Sequence, residues 1–243
     1  MHGEGNHGAF LRQWSRQRAM AGKRIVLIHA VSVAIAPIRE AFAEGWPEAE
    51  VTNLLDDGLT GALQREGGLT APIAQRICDL AAYAARAGAD GILFTCSAFT
   101  PAMDLAKRLV AVPLLKPDEA MHAAALDAGR RIGVLATLPA TAPVAEAQLR
   151  AAAAERGTSV EVVAAAVPGA LQAMGAGDLA RHDRLIAEAA ARLAPGVDIL
   201  CLAQFSMARA RPAVRARISL PVLTSPASAV ARLKAILAGS PGT

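Results

Sequence analysis

The sequence predicts an α/β protein built from two similar lobes. Each lobe is a parallel sheet flanked by helices, and a pseudo-twofold relation leaves an active-site cleft between them. Three observations carry this expectation. Short β-branched or leucine-rich runs alternate with helical stretches, the signature of a parallel sheet covered on both faces. The alternation repeats at one spacing, 108 residues. The strand ends are polar, as expected where ligands bind outside the carboxyl ends of an open sheet.

The elements follow in order, each bounded by Gly, Pro or Asp. The first strand is Ile25–Ala30, ending at His29 with Ser32 just beyond. The second is Glu50–Leu55, closed by Asp56-Asp57-Gly58. A long helical stretch, Leu59–Ala87, leads to Gly91–Thr95, then Val110–Leu115 and the polar run Lys116-Pro117-Asp118-Glu119. The second lobe reads Arg131–Thr137, Val160–Ala165, a helical stretch Gly169–Leu193, Ile199–Ala203 and Leu220–Thr224. Residues 1–23 read as a disordered leader, residues 24–116 with 226–243 as lobe 1, and 117–225 as lobe 2.

The repeat shows first at Asp90 and Asp198, which are 108 apart (198 − 90) in the related runs Ala89-Asp90-Gly91-Ile92-Leu93 and Val197-Asp198-Ile199-Leu200-Cys201. The same offset places Val26-Leu27 on Val134-Leu135, Pro113 on Pro221 and His29 on Thr137. It also places Cys96 on Gln204.

Composition removes several function classes. No apolar run is long enough to span a membrane. The net charge of +4 comes from scattered arginines, and aromatics are 3%, too few to stack bases. Three cysteines without a CxxC pair argue against a disulfide framework or a zinc site, and no metal site is expected. There is no GxGxxG after a strand, no phosphate-binding GxxxxGK[ST], and no GxSxG elbow. The leader lacks the apolar core of an export signal, so a cytoplasmic protein without nucleic-acid or membrane partners is expected.

Chemistry is expected at Thr95-Cys96-Ser97-Ala98, a strand end followed by Thr100-Pro101, which suit a helix start. Amides and a helix dipole there favour a thiolate or a bound carboxylate. Position alone also admits a small buried hydrophobe, the reading taken for Cys78 and Cys201. The candidate ligand-binding groups are His29, Ser32, Asp56, Thr95, Ser97, Ala98, Lys116, Thr137, Thr141 and Ser206. Each has a plainer reading as a cap, a turn residue or a satisfied buried group.

Thr95-Cys96-Ser97-Ala98, the duplicated lobes and the run Gly133-Val134-Leu135-Ala136-Thr137 resemble the aspartate/glutamate racemase superfamily over nearly the whole chain after Arg24. The resemblance implies a cofactor-independent enzyme acting at a carbon beside a carboxylate, on an amino acid or small dicarboxylate. It also implies two cysteines facing each other across the cleft, one removing and one returning the α-proton. Cys96 matches the first; the second falls on Gln204, whose amide has no useful proton to give or take. A racemase or isomerase is therefore the default implied, with Cys96 and Gln204 as its catalytic residues. A one-base decarboxylase or lyase of the arylmalonate decarboxylase type is the alternative, although that enzyme keeps its cysteine in the second lobe. A non-catalytic binder of small carboxylates is the other alternative. A homo-oligomer is an expectation carried by the resemblance alone.

Overall fold

The computed structural model describes residues 22–239. The expected leader falls outside these residues except for Gly22 and Lys23, and the Lys23 carbonyl already accepts from the Glu50 amide at 2.9 Å. Eight strands form where eight were expected: β1 Arg24–His29, β2 Glu50–Leu55, β3 Gly91–Phe94, β4 Leu114–Leu115, β5 Arg131–Ala136, β6 Glu161–Ala166, β7 Ile199–Leu202 and β8 Val222–Thr224. They make two parallel four-stranded sheets, ordered β2-β1-β3-β4 and β6-β5-β7-β8. The central strands β1, β3, β5 and β7 are buried almost throughout, because helices cover both faces.

The helices are α1 Ile35–Gly45, α2 Gly58–Arg65, α3 Ala71–Arg86, α4 Thr100–Leu109, α5 Glu119–Ala128, α6 Thr141–Glu155, α7 Ala170–Gly175, α8 Leu179–Leu193, α9 Arg211–Arg215 and α10 Ser225–Ala238. The two long helical stretches each divide. Leu59–Ala87 breaks at Gly67, whose φ of 69° ends α2 in a conformation that costs glycine little. Gly169–Leu193 breaks at Gly177, where φ is 76° and the Asp178 carboxylate then caps α8 by accepting from the Arg181 amide at 3.0 Å.

The edge strands β4 and β8 are shorter than the apolar runs that contain them. Pro113 and Pro221 have no N–H to give, yet each carbonyl accepts from the neighbouring strand, from Ile92 at 2.8 Å and Leu200 at 3.0 Å. The chain then crosses between lobes twice. α5 follows β4 but packs Met121, Ala125 and Leu126 against the second sheet. α10 follows β8 but packs Ala229, Val230, Leu233 and Leu237 against the first.

The repeat is real, but its offset is not uniform. β3 and β7, and β4 and β8, stand 108 apart, whereas β1 and β5 stand 107 apart. Val26 pairs with Ile92 in the first sheet, while Gly133, not Val134, pairs with Leu200 in the second. The counterpart of His29 is therefore Ala136 rather than Thr137. A strand buried on both faces reads as a continuous apolar run, so a slip of one residue leaves no mark in its hydrophobic pattern. The aspartates that reveal the repeat serve the fold: Asp90 accepts from the Arg24 amide at 2.8 Å and Asp198 from the Arg131 amide at 2.9 Å. Both lie at the amino ends of the strands, away from the site.

Candidate active site

In each sheet the strand order reverses between two central strands, β1 and β3 or β5 and β7. Their carboxyl ends flank the position where open α/β sheets bind ligands. Two contacts show that the carboxyl ends of the two sheets face one another. The 3-10 turn Ser32–Ala34 after β1 touches the 3-10 turn Phe205–Ala210 after β7. Ser225, after β8, donates to Asp118 Oδ1, after β4, at 2.5 Å.

Cys96 leaves β3 in an extended conformation and starts the 3-10 turn Ser97–Phe99. Its side chain is half-buried, while Ser97 and Ala98 are exposed. A polar latch fixes the strand ends around it. His29 Nδ1 lies 2.8 Å from Thr95 Oγ1, and His29 Nε2 lies 3.0 Å from Asn53 Oδ1, joining β1 to the end of β3 and to β2. His29 has no solvent-accessible surface, and burial holds its pKa below the ordinary value against the Asn53 bond. A neutral ring donating to Asn53 accepts from the Thr95 hydroxyl. His29 thus lies beneath the site, supporting Thr95 and Cys96, rather than in it.

The thiol itself departs from the expectation of a stabilised thiolate. Burial pushes its pKa up, the negative charge of Asp118 pushes the same way, and a hydrogen bond from the Ala98 amide only partly opposes them. The resting group is an SH. Thr100 does not cap α4 by accepting; its hydroxyl donates to the Ser97 carbonyl at 2.8 Å and closes the turn. Pro101 occupies the first turn as expected.

Gln204 holds the corresponding place in lobe 2, extended at the start of Phe205–Ala210. Its Oε1 accepts from the Thr137 amide at 2.6 Å and from the Thr137 hydroxyl at 2.8 Å. A backbone N–H can only donate, so the carbonyl side of the amide must face Thr137. What Gln204 has left to offer is its NH2, a pure donor. The next residue, Phe205, is buried among Ile38, Phe42 and Ala229 beneath the first sheet, where lobe 1 has the exposed Ser97. Arg209, farther along the turn, forms a two-toothed ion pair with Asp183 at 2.9 and 3.0 Å, and His182 Nδ1 lies 2.8 Å from the same carboxylate.

Between the halves, burial raises the Asp118 carboxyl to about 6, although the Ser225 hydroxyl pulls it down. Ser225 therefore spends its hydroxyl across the lobes instead of capping α10. Asp118 also lines a cavity of about 340 Å³ bounded by Thr100, Lys116, His122, Gln148 and Glu155. His122 is buried there, its pKa lowered to about 4 by burial and by Lys116. Cys201 is fully buried, its thiol pushed up to about 12 by desolvation and then by Asp118; Cys78 is also buried.

The remaining candidates are scattered in role. Asp56 is held through both oxygens by Arg76 Nη2, at 2.6 and 2.7 Å. Lys116 donates to Asp104 at 2.9 Å. Ser32 is exposed, while Thr141, at the start of α6, and Ser206 are half-buried. Sequence reasoning missed Asp118, Ser225, Asn53 and His122. Asp118 stood in the polar run after β4, and Ser225 lies 107 residues on (225 − 118), close to the repeat. Asn53 and His122 carry no signal in the sequence. Among the described residues no cluster of three or more His, Cys, Asp or Glu is placed to hold a metal ion, and no helix is long and apolar enough to cross a membrane.

The family described as Asp/Glu/hydantoin racemase matches residues 17–233. This chain belongs to that family. Among curated protein sequences none matches it significantly. Solved structures share the fold of this racemase-family protein at low identity. Allantoin racemase from Klebsiella pneumoniae is 19% identical with a TM-score of 0.69, over 89% of this chain and 88% of that one. Aspartate racemase of Picrophilus torridus is 15% identical with a TM-score of 0.66, over 89% and 95%. A glycine-to-cysteine variant of arylmalonate decarboxylase is 19% identical with a TM-score of 0.60, over 90% and 94%.

Proposed function

We propose that this racemase-family protein is an enzyme that moves a proton at a carbon beside a carboxylate, through Cys96, on one face of that carbon. The observation that carries this reading is the Gln204 amide. Its carbonyl is committed to Thr137, so the position where the two-cysteine scheme puts a second thiol presents a donor that cannot accept or release a proton. A carbanion beside a carboxylate is an enediolate, and donors aimed at its oxygens stabilise it as charge develops. The free NH2 of Gln204, with the hydroxyls of Ser97 and Ser206, suits that task.

The resting state of Cys96 sharpens the choice of reaction. A thiol whose pKa is raised is an acid ready to protonate a carbanion; removing an α-proton first requires its own proton to leave. Protonation following loss of carbon dioxide or another group therefore fits better than symmetric racemisation. Racemase or isomerase chemistry remains the family's default. The substrates of the structural relatives, allantoin, aspartate and arylmalonates, define the panel to test. Wild type and Cys96→Ala are incubated with amino acids, hydantoins and substituted malonates, and proton exchange and carbon-dioxide release are followed by NMR. Cys96-dependent reaction with one class is expected. No reaction with any class, or reaction that survives Cys96→Ala, overturns the proposal.

A further inference from the structure

A second cavity, of about 500 Å³, lies where the crossover helices α5 and α10 run beside β8. Its walls are alanines of both helices, among them Ala120, Ala124, Ala227 and Ala231. These alanines, with Val222 and Leu223, offer apolar contact, and Thr224 and Ser228 add two hydroxyls. Three arginines border it: Arg156, Arg211 and Arg232. Arg156 is already paired with Asp127 at 2.7 Å. Neither Arg211 nor Arg232 forms an ion pair or a side-chain hydrogen bond among the described residues, and Arg211 Nε is buried without any acceptor.

Arg211 as a whole is half-buried and lines the cavity, so its guanidinium is partly stripped of water and gains from an acceptor placed there. Its planar fork matches a carboxylate better than a point charge would. Among the described residues Asp127 is the one acid in the cavity wall, and it is spent on Arg156, so the site carries uncompensated positive charge above an apolar floor. Its size is in the range that encloses a small ligand. Arg211 lies at the far end of the turn that starts after Gln204, yet the cavity includes neither Gln204 nor Cys96.

We propose that this cavity is a binding site, separate from the Cys96 site, for a small carboxylate with an apolar body. The carboxylate meets Arg211, with Arg232 beside it, and the body lies on the alanines. A bound molecule then bridges α5 and α10, which belong to chain segments crossing between the lobes in opposite directions.

Hexanoate is the probe, with acetate and hexanol as controls, measured by calorimetry and by the shift in melting temperature of the full chain. Hexanoate is expected to bind saturably and to raise the melting temperature, with acetate and hexanol each much weaker, since each lacks one half of the recognition. Arg211→Met is expected to weaken hexanoate about tenfold or more. Ala231→Glu places a negative charge on an exposed position of the wall and is expected to abolish binding without disturbing the fold. Cys96→Ala is expected to leave binding unchanged. No saturable binding overturns the proposal, as does binding lost in Cys96→Ala or retained in Ala231→Glu. If Ala231→Glu changes the sedimentation coefficient, the groove is a subunit interface and the proposal also fails. These outcomes do not depend on turnover, so they are independent of the reaction proposed above.

Discussion

The Cys96 turn and the Gln204 turn occupy equivalent places in two copies of one fold, and they have become opposites. The first is open: a half-buried thiol followed by two exposed small residues. The second is locked: an amide held twice by Thr137, a phenylalanine sunk under the other lobe, and an arginine clamped by Asp183. Duplication supplies two strand ends facing one site. In the proposed reaction the side chains decide which end moves a proton and which only holds.

The sharpest way to break this comparison is to remove the thiol. Cys96→Ala is expected to abolish turnover while shifting the melting temperature by no more than a few degrees, since Cys96 is a half-buried turn residue; calorimetry and an exchange assay check both. Gln204→Cys tests the other half. It is expected to introduce racemisation and, by stripping Thr137 of its acceptor, to cost about 1–3 kcal/mol in urea unfolding. A folded variant with no racemisation counts against the two halves facing one substrate carbon.

Phe205→Ala and Ser97→Ala compare the two turns as packing. The phenylalanine change opens a cavity under the first sheet and is expected to cost about 3 kcal/mol, while the serine change stays within about 0.5 kcal/mol. Equal effects in chemical denaturation would erase the structural asymmetry.

Asp118→Asn reports on the junction. Removing a negative charge beside Cys96 is expected to lower the thiol pKa and speed its alkylation by about two- to tenfold at constant pH. The same change has a defined pH signature. The folded carboxyl ionises near 6, above its ordinary value of 3.8, so the stability it contributes is full below about pH 4 and is lost as pH rises through about 6. The asparagine variant is therefore expected to be more stable than wild type at pH 7, with the advantage narrowing towards pH 4.

Much of this layout is legible in the sequence, and the reason is physical. Eight strands and the repeat show because buried parallel strands must be apolar and because Asp90 and Asp198 clamp the same strand ends. The extended backbone at Cys96 follows from a strand stopping just before a helix. What stayed hidden depends on distant chain segments. The pairing of Asp118 with Ser225 spans 107 residues, and the burial that raises the Cys96 thiol, with a smaller push from that carboxylate, comes from the packed fold. His29 looked like a ligand group because it ends a strand; only Asn53 and Thr95 around its ring show it to be support. The one-residue slip between β1 and β5 left no trace because both strands are apolar on either face.

The most direct test of the unequal halves is the stereochemistry of deuterium incorporation. A turned-over substrate is allowed to react in heavy water, and the configuration at the newly labelled carbon is read by NMR with a chiral shift reagent. One enantiomer is predicted, because only Cys96 delivers a deuteron and it does so from one side. Equal amounts of both enantiomers would contradict the account, by showing that a second group, on the Gln204 side, also moves a proton.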